Sequence, residues 1–373
     1  MESFIEYLQF VKKSLENLDS FGEIHIVLGN ESCDIDSSVS ATALAYLLHI
    51  SRPKHISKEA LVVAVQNVPA ENFLFRTDNC FLYREIQLPL DYLVCRDQID
   101  FDYLVKSKKV TTTLVDHHVV PKNYKILEKT VVQIYDHRPI DAAFDLDTKE
   151  VEINIEGVGS CATLIANAIF SGCEDVLFKE LGYLLYATIL FDTQGLSPDT
   201  KRAKELDFQI VEKLEHKFNF TEDRIAVYDR IWNAHNDIST LNPKQILVKD
   251  LKMVEHIPVP GLPMLVEDFL KIQGSYEAVR KFAEERDTPL LILVGIDCLN
   301  GIRRDVALFS RNEDDPIRNR VLNLLCNCQH KGYDFEFKEV DVSCESVKCF
   351  RQGNLTLSRK QIIPVIIDAL KLS

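Results

Sequence analysis

Residues Ile24 to Ala41, IHIVLGNESCDIDSSVSA, decide how this chain is read. The run Ile24 to Gly29 is short, apolar and partly β-branched, as in a strand buried on both faces. A polar loop follows and carries Asn30, Asp34 and Asp36. From Ser37 the segment SSVSATALAYLLH has helical character, with small residues at its start. Strand, acidic loop and helix together make the opening of a βα unit.

The same alternation continues downstream. LVVAV at 61–65, Tyr92 to Cys95, TTTLVD at 111–116, VVQIYD at 131–136 and VEINIE at 151–156 read as strands. Helices are expected at about Ser160 to Phe170, Val176 to Phe191 and, long and charged, Pro198 to His216. Strands alternating with helices indicate an α/β fold with a parallel sheet. KFNFTED, 217–223, reads as a linker. Beyond it, ILVKDLKMV, PLLILVGI, DVALFS and a strand-rich stretch from Tyr333 to Leu357 mix with helices near 265–285, 314–327 and 360–372. The expected organisation is a parallel-sheet domain over 1–216, the linker, and a smaller α+β domain over 224–373.

Composition agrees with two folded domains. The chain has 373 residues, 46% hydrophobic and 27% charged, enough for real cores and ordinary for a globular protein. A net charge of −14 argues against a nucleic-acid coat, though not against a local pocket for a small anion. No apolar run approaches the roughly 18–20 residues of a membrane helix. MESFIEYLQFVKK has two early acids and no apolar core before small residues, so no secretory signal is expected. Ten scattered cysteines then read as reduced thiols in a cytoplasmic setting, without disulfides.

The chemistry lies in where the acids fall. Strand one runs into Asp34 and Asp36, TTTLV into Asp116-His117-His118, VVQIY into Asp136-His137-Arg138, and the helix LLYATILF into Asp192-Thr193. In a parallel sheet the carboxyl ends of strands face the ligand. Carboxylates gathered there repel unless a cation lies between them, so convergent Asp and His residues imply divalent metal. A single Asp after a strand is more often a helix cap, but four such clusters, two containing His, outweigh that reading. Cys326-x-Cys328-x-His330 offers only three zinc ligands at the wrong spacing. GVGSCAT at 157–163 lacks a Walker spacing and reads as a helix start that walls or touches the site. Trp232 reads as a packing residue on the first helix of the second domain.

The motif set resembles the DHH phosphoesterase superfamily: GNESCDIDSSVSA, LVDHH, Asp136-His137-Arg138 in place of Asp-His-His, and Asp192-Thr193. The C-terminal half is similar to the DHHA2 domain, with ILVKDLK ending in Lys252 and LSRKQIIP containing Arg359 and Lys360. GNE-C-D-x-D-S, the Asp-His-Arg variant and EGVGSCAT resemble the Prune proteins. The resemblance implies an active site in an interdomain cleft and a metal-dependent phosphohydrolase, foremost a short-chain exopolyphosphatase, with cyclic-nucleotide phosphodiester cleavage also attributed to Prune proteins. It implies Asp34, Asp36, Asp116, His137 and Asp192 as ligands of two divalent ions, with Asp116 bridging and Asp136 orienting His137. Asn30, where the pyrophosphatases place a ligand His, leaves an oxygen-rich shell that favours Mg²⁺ over Mn²⁺ or Co²⁺. Asp116, His137 and Arg138 would carry catalysis; Asn30, His117, His118, Arg138, Lys252, Arg359 and Lys360 would bind substrate. The implied substrate is inorganic polyphosphate or another small phosphate ester, with neither nucleic acid nor membrane as partner. The other reading is an interaction protein with a vestigial site that binds nucleoside diphosphate kinase.

Overall fold

The computed structural model describes residues 3–140, 144, 151–298, 301–312, 314–326, 330–342 and 346–371. Two compact units divide between Asp237 and Ile238.

In the first unit β1 (Glu23–Leu28), β2 (Leu61–Gln66), β3 (Val94–Cys95), β4 (Lys109–Val115), β5 (Val131–Asp136) and β6 (Glu152–Ile155) form one sheet in the order β3-β2-β1-β4-β5-β6. Every pairing is parallel. The apolar runs are explained by this: Ile24, Ile26, Val27 and Leu28 have no solvent exposure, and each such side chain stabilises the fold by about 1.5–3 kcal/mol relative to exposure. The chain leaves β1 in one direction through β2 and β3, then returns to lay β4, β5 and β6 on the other side. The reversal puts a topological switch point between the ends of β1 and β4, where open α/β sheets place their ligands.

The helices that matter for the site are α1 (Ile35–Ser51), α2 (Thr77–Glu85), α3 (Cys161–Gly172), α4 (Lys179–Asp192), α5 (Glu205–Phe218) and α6 (Arg224–Asn236). Two expectations need correcting here. The helix expected from Pro198 starts at Glu205, because Lys201 sits in the left-handed region, at φ +54, after a short turn at Pro198–Thr200. The segment 217–223 joins two helices of the same unit: Asn219, at φ +54, ends α5 and the Asp223 side chain caps α6. Helix α6 buries Val227 and Ile231, one turn apart, in the first unit's core. Arg230 also bonds Glu222 and Tyr183 there, at 2.9 and 2.8 Å. Trp232 therefore packs in the first unit.

The second unit carries β7 (Asp250–Val254), β8 (Ile257–Leu262), β9 (Leu290–Asp297), β10 (Arg303–Ser310), β11 (Phe337–Val340) and β12 (Val347–Gln352) in the order β11-β12-β10-β9-β8-β7. Only β8 and β9 pair in parallel; the other pairings are antiparallel. Alternation along the central strands fills two cores. Leu290, Ile292, Val306 and Leu308 face α8 (Pro316–Cys326) and α9 (Arg359–Lys371); Leu291, Leu293, Ala307 and Phe309 face α7 (Ser275–Glu285). No helix among the described residues is long and apolar enough to cross a membrane. Cys328, of the weak zinc pattern, lies outside the described residues.

Candidate metal centre

The loop after β1 is built around Asn30. Its Oδ1 accepts from Ser32 N at 3.0 Å, Ser32 Oγ at 2.6 Å and Cys33 N at 3.0 Å. Its Nδ2 donates to Asp116 Oδ2 at 2.7 Å. Asn30 thus folds the loop and holds a carboxylate across the switch point; it does not line the site cavity. Asp34 caps α1, accepting from Ser37 N at 3.1 Å and from Ser32 Oγ at 2.9 Å. Asp36, in the first turn, caps a different helix: its two oxygens accept Cys161 N at 2.7 Å and Ala162 N at 2.8 Å, the first amides of α3. The helix start expected at the site does wall the cavity, through Val158 and Gly159, while these first amides are spent on Asp36.

Asp116 follows β4 with φ +59, a left-handed conformation that Asp tolerates better than most residues. Burial first, then the charges of Asp36 and Asp34, hold its carboxyl well above the usual range. Arg138 Nη2 reaches both of its oxygens, at 3.1 and 3.2 Å. His137 Nε2 lies 3.3 Å from Asp116 and 3.7 Å from Asp36. Burial works against a charged His137 ring, but the hydrogen bond to Asp116 and the charge of Asp36 push it up to about 10. At the end of α4, Asp192 Oδ2 is buried without a hydrogen-bond partner among the described residues. Burial and then the charge of Asp36 raise this carboxyl well above its ordinary value.

Asp34, Asp36, Asp116, His137, Arg138 and Asp192 line one cavity of about 410 Å³ in the first unit. Ligand atoms of Asp36, Asp116 and His137 lie within 4.8 Å of one another. The donor set is carboxylate-rich with one imidazole, and burial and mutual repulsion raise the Asp116 and Asp192 carboxyls for want of countercharge. It fits hard divalent cations.

Other expected residues fall elsewhere. Asp136 does not orient the His137 ring. Its carboxylate bonds the His118 ring and accepts the backbone N–H groups of His137 and Arg138, at 2.8 and 3.2 Å. The His137 ring is fixed by Val158 O, 3.1 Å from Nδ1, which leaves Nε2 toward the carboxylates. Neither His117 nor His118 lines the cavity. His117 Nδ1 meets Val115 O at 2.9 Å, and burial pushes the ring down to about 4. In the second unit Lys252 is exposed on β7, and Lys360 is exposed at the start of α9. Arg359 is committed to β7, bonding Asp250 Oδ2 at 2.6 Å and Asp250 O at 2.7 Å.

The exopolyphosphatase PRUNE1 of Bos taurus is 33% identical over 371 residues, covering 98% of this chain and 79% of the relative. The chain belongs to the Prune family. PRUNE1 of Mus musculus is 30% identical over the same shares of each chain. Residues 229–369 of this Prune chain match the DHHA2 domain family. In fold it is similar to the crystal structure of the Methanococcus jannaschii "putative family II inorganic pyrophosphatase", with a TM-score of 0.54 and 18% identity over 93% of this chain and 99% of that one.

The cavity of this Prune chain also has walls that sequence reading missed: Asp78, Phe191, Arg202 and His235. Arg202 Nη1 reaches Asp192 O at 3.4 Å. Asp78 and His235 lie inside helices rather than at strand ends, so no acidic-loop signal marks them.

Proposed function

We propose that this Prune-family chain is a divalent-metal-dependent phosphohydrolase that releases phosphate from short inorganic polyphosphate. The observation that carries the reading is the convergence of Asp36, Asp116 and His137 within 4.8 Å at the sheet's switch point. Asp34, Asp36, Asp116, His137 and Asp192 would hold two ions, with Mg²⁺ favoured over Mn²⁺ or Co²⁺ by the oxygen-rich donors. Bound divalent ions would supply an activated water and polarise a phosphoryl oxygen.

The remaining work falls to the chain's own groups. Asn30 and Arg138 fix Asp116 from two sides, so its carboxylate does not reorient during turnover. Val158 O sets the His137 tautomer with Nε2 toward the carboxylates, the usual arrangement for a ligand imidazole. Arg138, with its side chain 47% exposed at the cavity, offers its free guanidinium edge to a phosphate oxygen and balances charge as the phosphoryl group transfers. Lys252, Arg359 and Lys360, in the second unit, are proposed to bind phosphate.

The test is phosphate release from tri- and tetrapolyphosphate in EDTA, then with Mg²⁺, Mn²⁺ or Co²⁺ restored. Metal-dependent release supports the reading. Cleavage of cyclic nucleotides alone would move the activity to phosphodiesters. No cleavage of either, with capture of nucleoside diphosphate kinase, would replace it with the interaction reading.

A further inference from the structure

Asp78 lies in the first turn of helix α2, and His235 in the last turn of helix α6. His235 Nδ1 lies 2.7 Å from Asp78 Oδ2. Asp78 is 4% exposed, and its other oxygen accepts Asn79 N at 2.9 Å. The imidazole lies nearly parallel to Trp232, 5.9 Å away at 18°, and also packs on Phe191 at 5.9 Å. With Nδ1 committed, Nε2 has no hydrogen-bond partner among the described residues. Both residues line the cavity that holds Asp116 and Asp192.

A plain staple between two helices is the simplest alternative. It is redundant here, because Thr77 Oγ1 already bonds Ala234 O at 2.5 Å and Arg230 bonds Glu85 across the same pair of helices. It also gives no reason for the ring to edge a cavity lined with carboxylates. A carboxylate on one nitrogen and an open second nitrogen is the arrangement that orients an imidazole toward a ligand.

We propose that His235 is a catalytic residue whose Nε2–H donates to a phosphate oxygen of the substrate, and that Asp78 is its positioning residue. This rests on the phosphohydrolase reading above. No bond is made or broken at the ring; its N–H gives the phosphate a hydrogen-bond donor among carboxylates that would otherwise repel it.

Two substitutions separate contact from staple. In His235→Asn the amide nitrogen replaces Nδ1, so the link to Asp78 survives and Nε2 is lost. In His235→Gln the amide nitrogen stands where Nε2 was. His235→Asn should keep the parental melting temperature and lose about 10- to 100-fold in kcat/KM on tripolyphosphate, the scale of one charge-assisted hydrogen bond. His235→Gln should retain more activity than His235→Asn. Asp78→Asn should lower kcat/KM, and combined with His235→Asn should add little further loss. In the full-length, Mg²⁺-loaded parent, the ¹⁵N signal of His235 Nε2 should shift on addition of inorganic phosphate. Parental kcat/KM in His235→Asn, or an Nε2 signal unmoved by saturating phosphate, overturns the proposal. If the parent releases no phosphate from tripolyphosphate, the phosphohydrolase reading fails on its own, and the Nε2 response still decides whether His235 meets phosphate.

Discussion

Asp36 lies 125 residues before Cys161 in the chain, yet its Oδ2 caps the helix that Cys161 begins, at 2.7 Å. The residue that would hold a metal ion also accepts the first two amides of α3. That double duty separates Asp36 from the other acids. Asp36→Ala should destabilise even the metal-free protein by about 1–3 kcal/mol, the cost of a lost cap and two buried N–H groups left unpaired. Asp36→Asn should recover only part, since one of its two terminal atoms donates rather than accepts. Chemical denaturation in EDTA measures both; parental stability in Asp36→Ala would show that the cap is dispensable.

Asp192 should behave in the opposite way. Its buried Oδ2 has no hydrogen-bond partner among the described residues, so Asp192→Asn removes repulsion without removing a cap. In EDTA its melting temperature should equal or exceed the parent's, while phosphate release falls. A clear drop in metal-free stability would mean that Asp192 has a structural role.

The same crowding fixes the pH dependence of the metal-free protein. A carboxyl whose folded pKa is raised, as at Asp116 and Asp192, binds its proton more tightly in the folded chain and costs stability as pH rises above its ordinary 3.8. His137, raised to about 10 from 6.5, contributes stability that is complete below 6.5 and is lost as pH climbs through about 10. These three groups therefore push the same way, toward lower stability from about pH 4 to about pH 10. Melting curves in EDTA should be flatter with pH for Asp192→Asn than for the parent; identical slopes would contradict this.

Arg359 and Lys360 are adjacent but not equivalent. Arg359 is tied to Asp250 by its side chain and by the backbone carbonyl, whereas Lys360 is exposed. Arg359→Ala should lower both stability and kcat/KM, and Lys360→Ala should lower kcat/KM alone. Thermal melts beside tripolyphosphate kinetics decide it; an unchanged melt for Arg359→Ala would free that residue from its structural part.

Much of the fold was legible because buried parallel strands are written as apolar, β-branched runs that stop at an acid. Leu61–Gln66 and Val131–Asp136 fall almost where the sequence put them. The acids at strand ends were legible for the same reason. Partners that are backbone groups were not: Val158 O, which holds His137, and the Cys161 and Ala162 amides, which hold Asp36, carry no side-chain signature. Asn30 looked like a substituted ligand, and only the hydrogen bonds show it organising a loop and bracing Asp116. The place of α6 was also hidden, since the Val227 and Ile231 stripe says that the helix docks but not on which unit.

The most direct measurement is the initial rate of phosphate release from tripolyphosphate with Mg²⁺, for the parent and for Asp116→Asn. Asn keeps the size of the side chain and tolerates the left-handed backbone at φ +59, so the substitution removes charge with little strain. We expect Mg²⁺-dependent release by the parent and a loss of at least about 10²-fold in the variant, the scale of one essential preorganised group, with its melting temperature in EDTA unchanged or raised. Release by Asp116→Asn at the parental rate, or parental release that persists undiminished in EDTA, would contradict a metal centre built on Asp116.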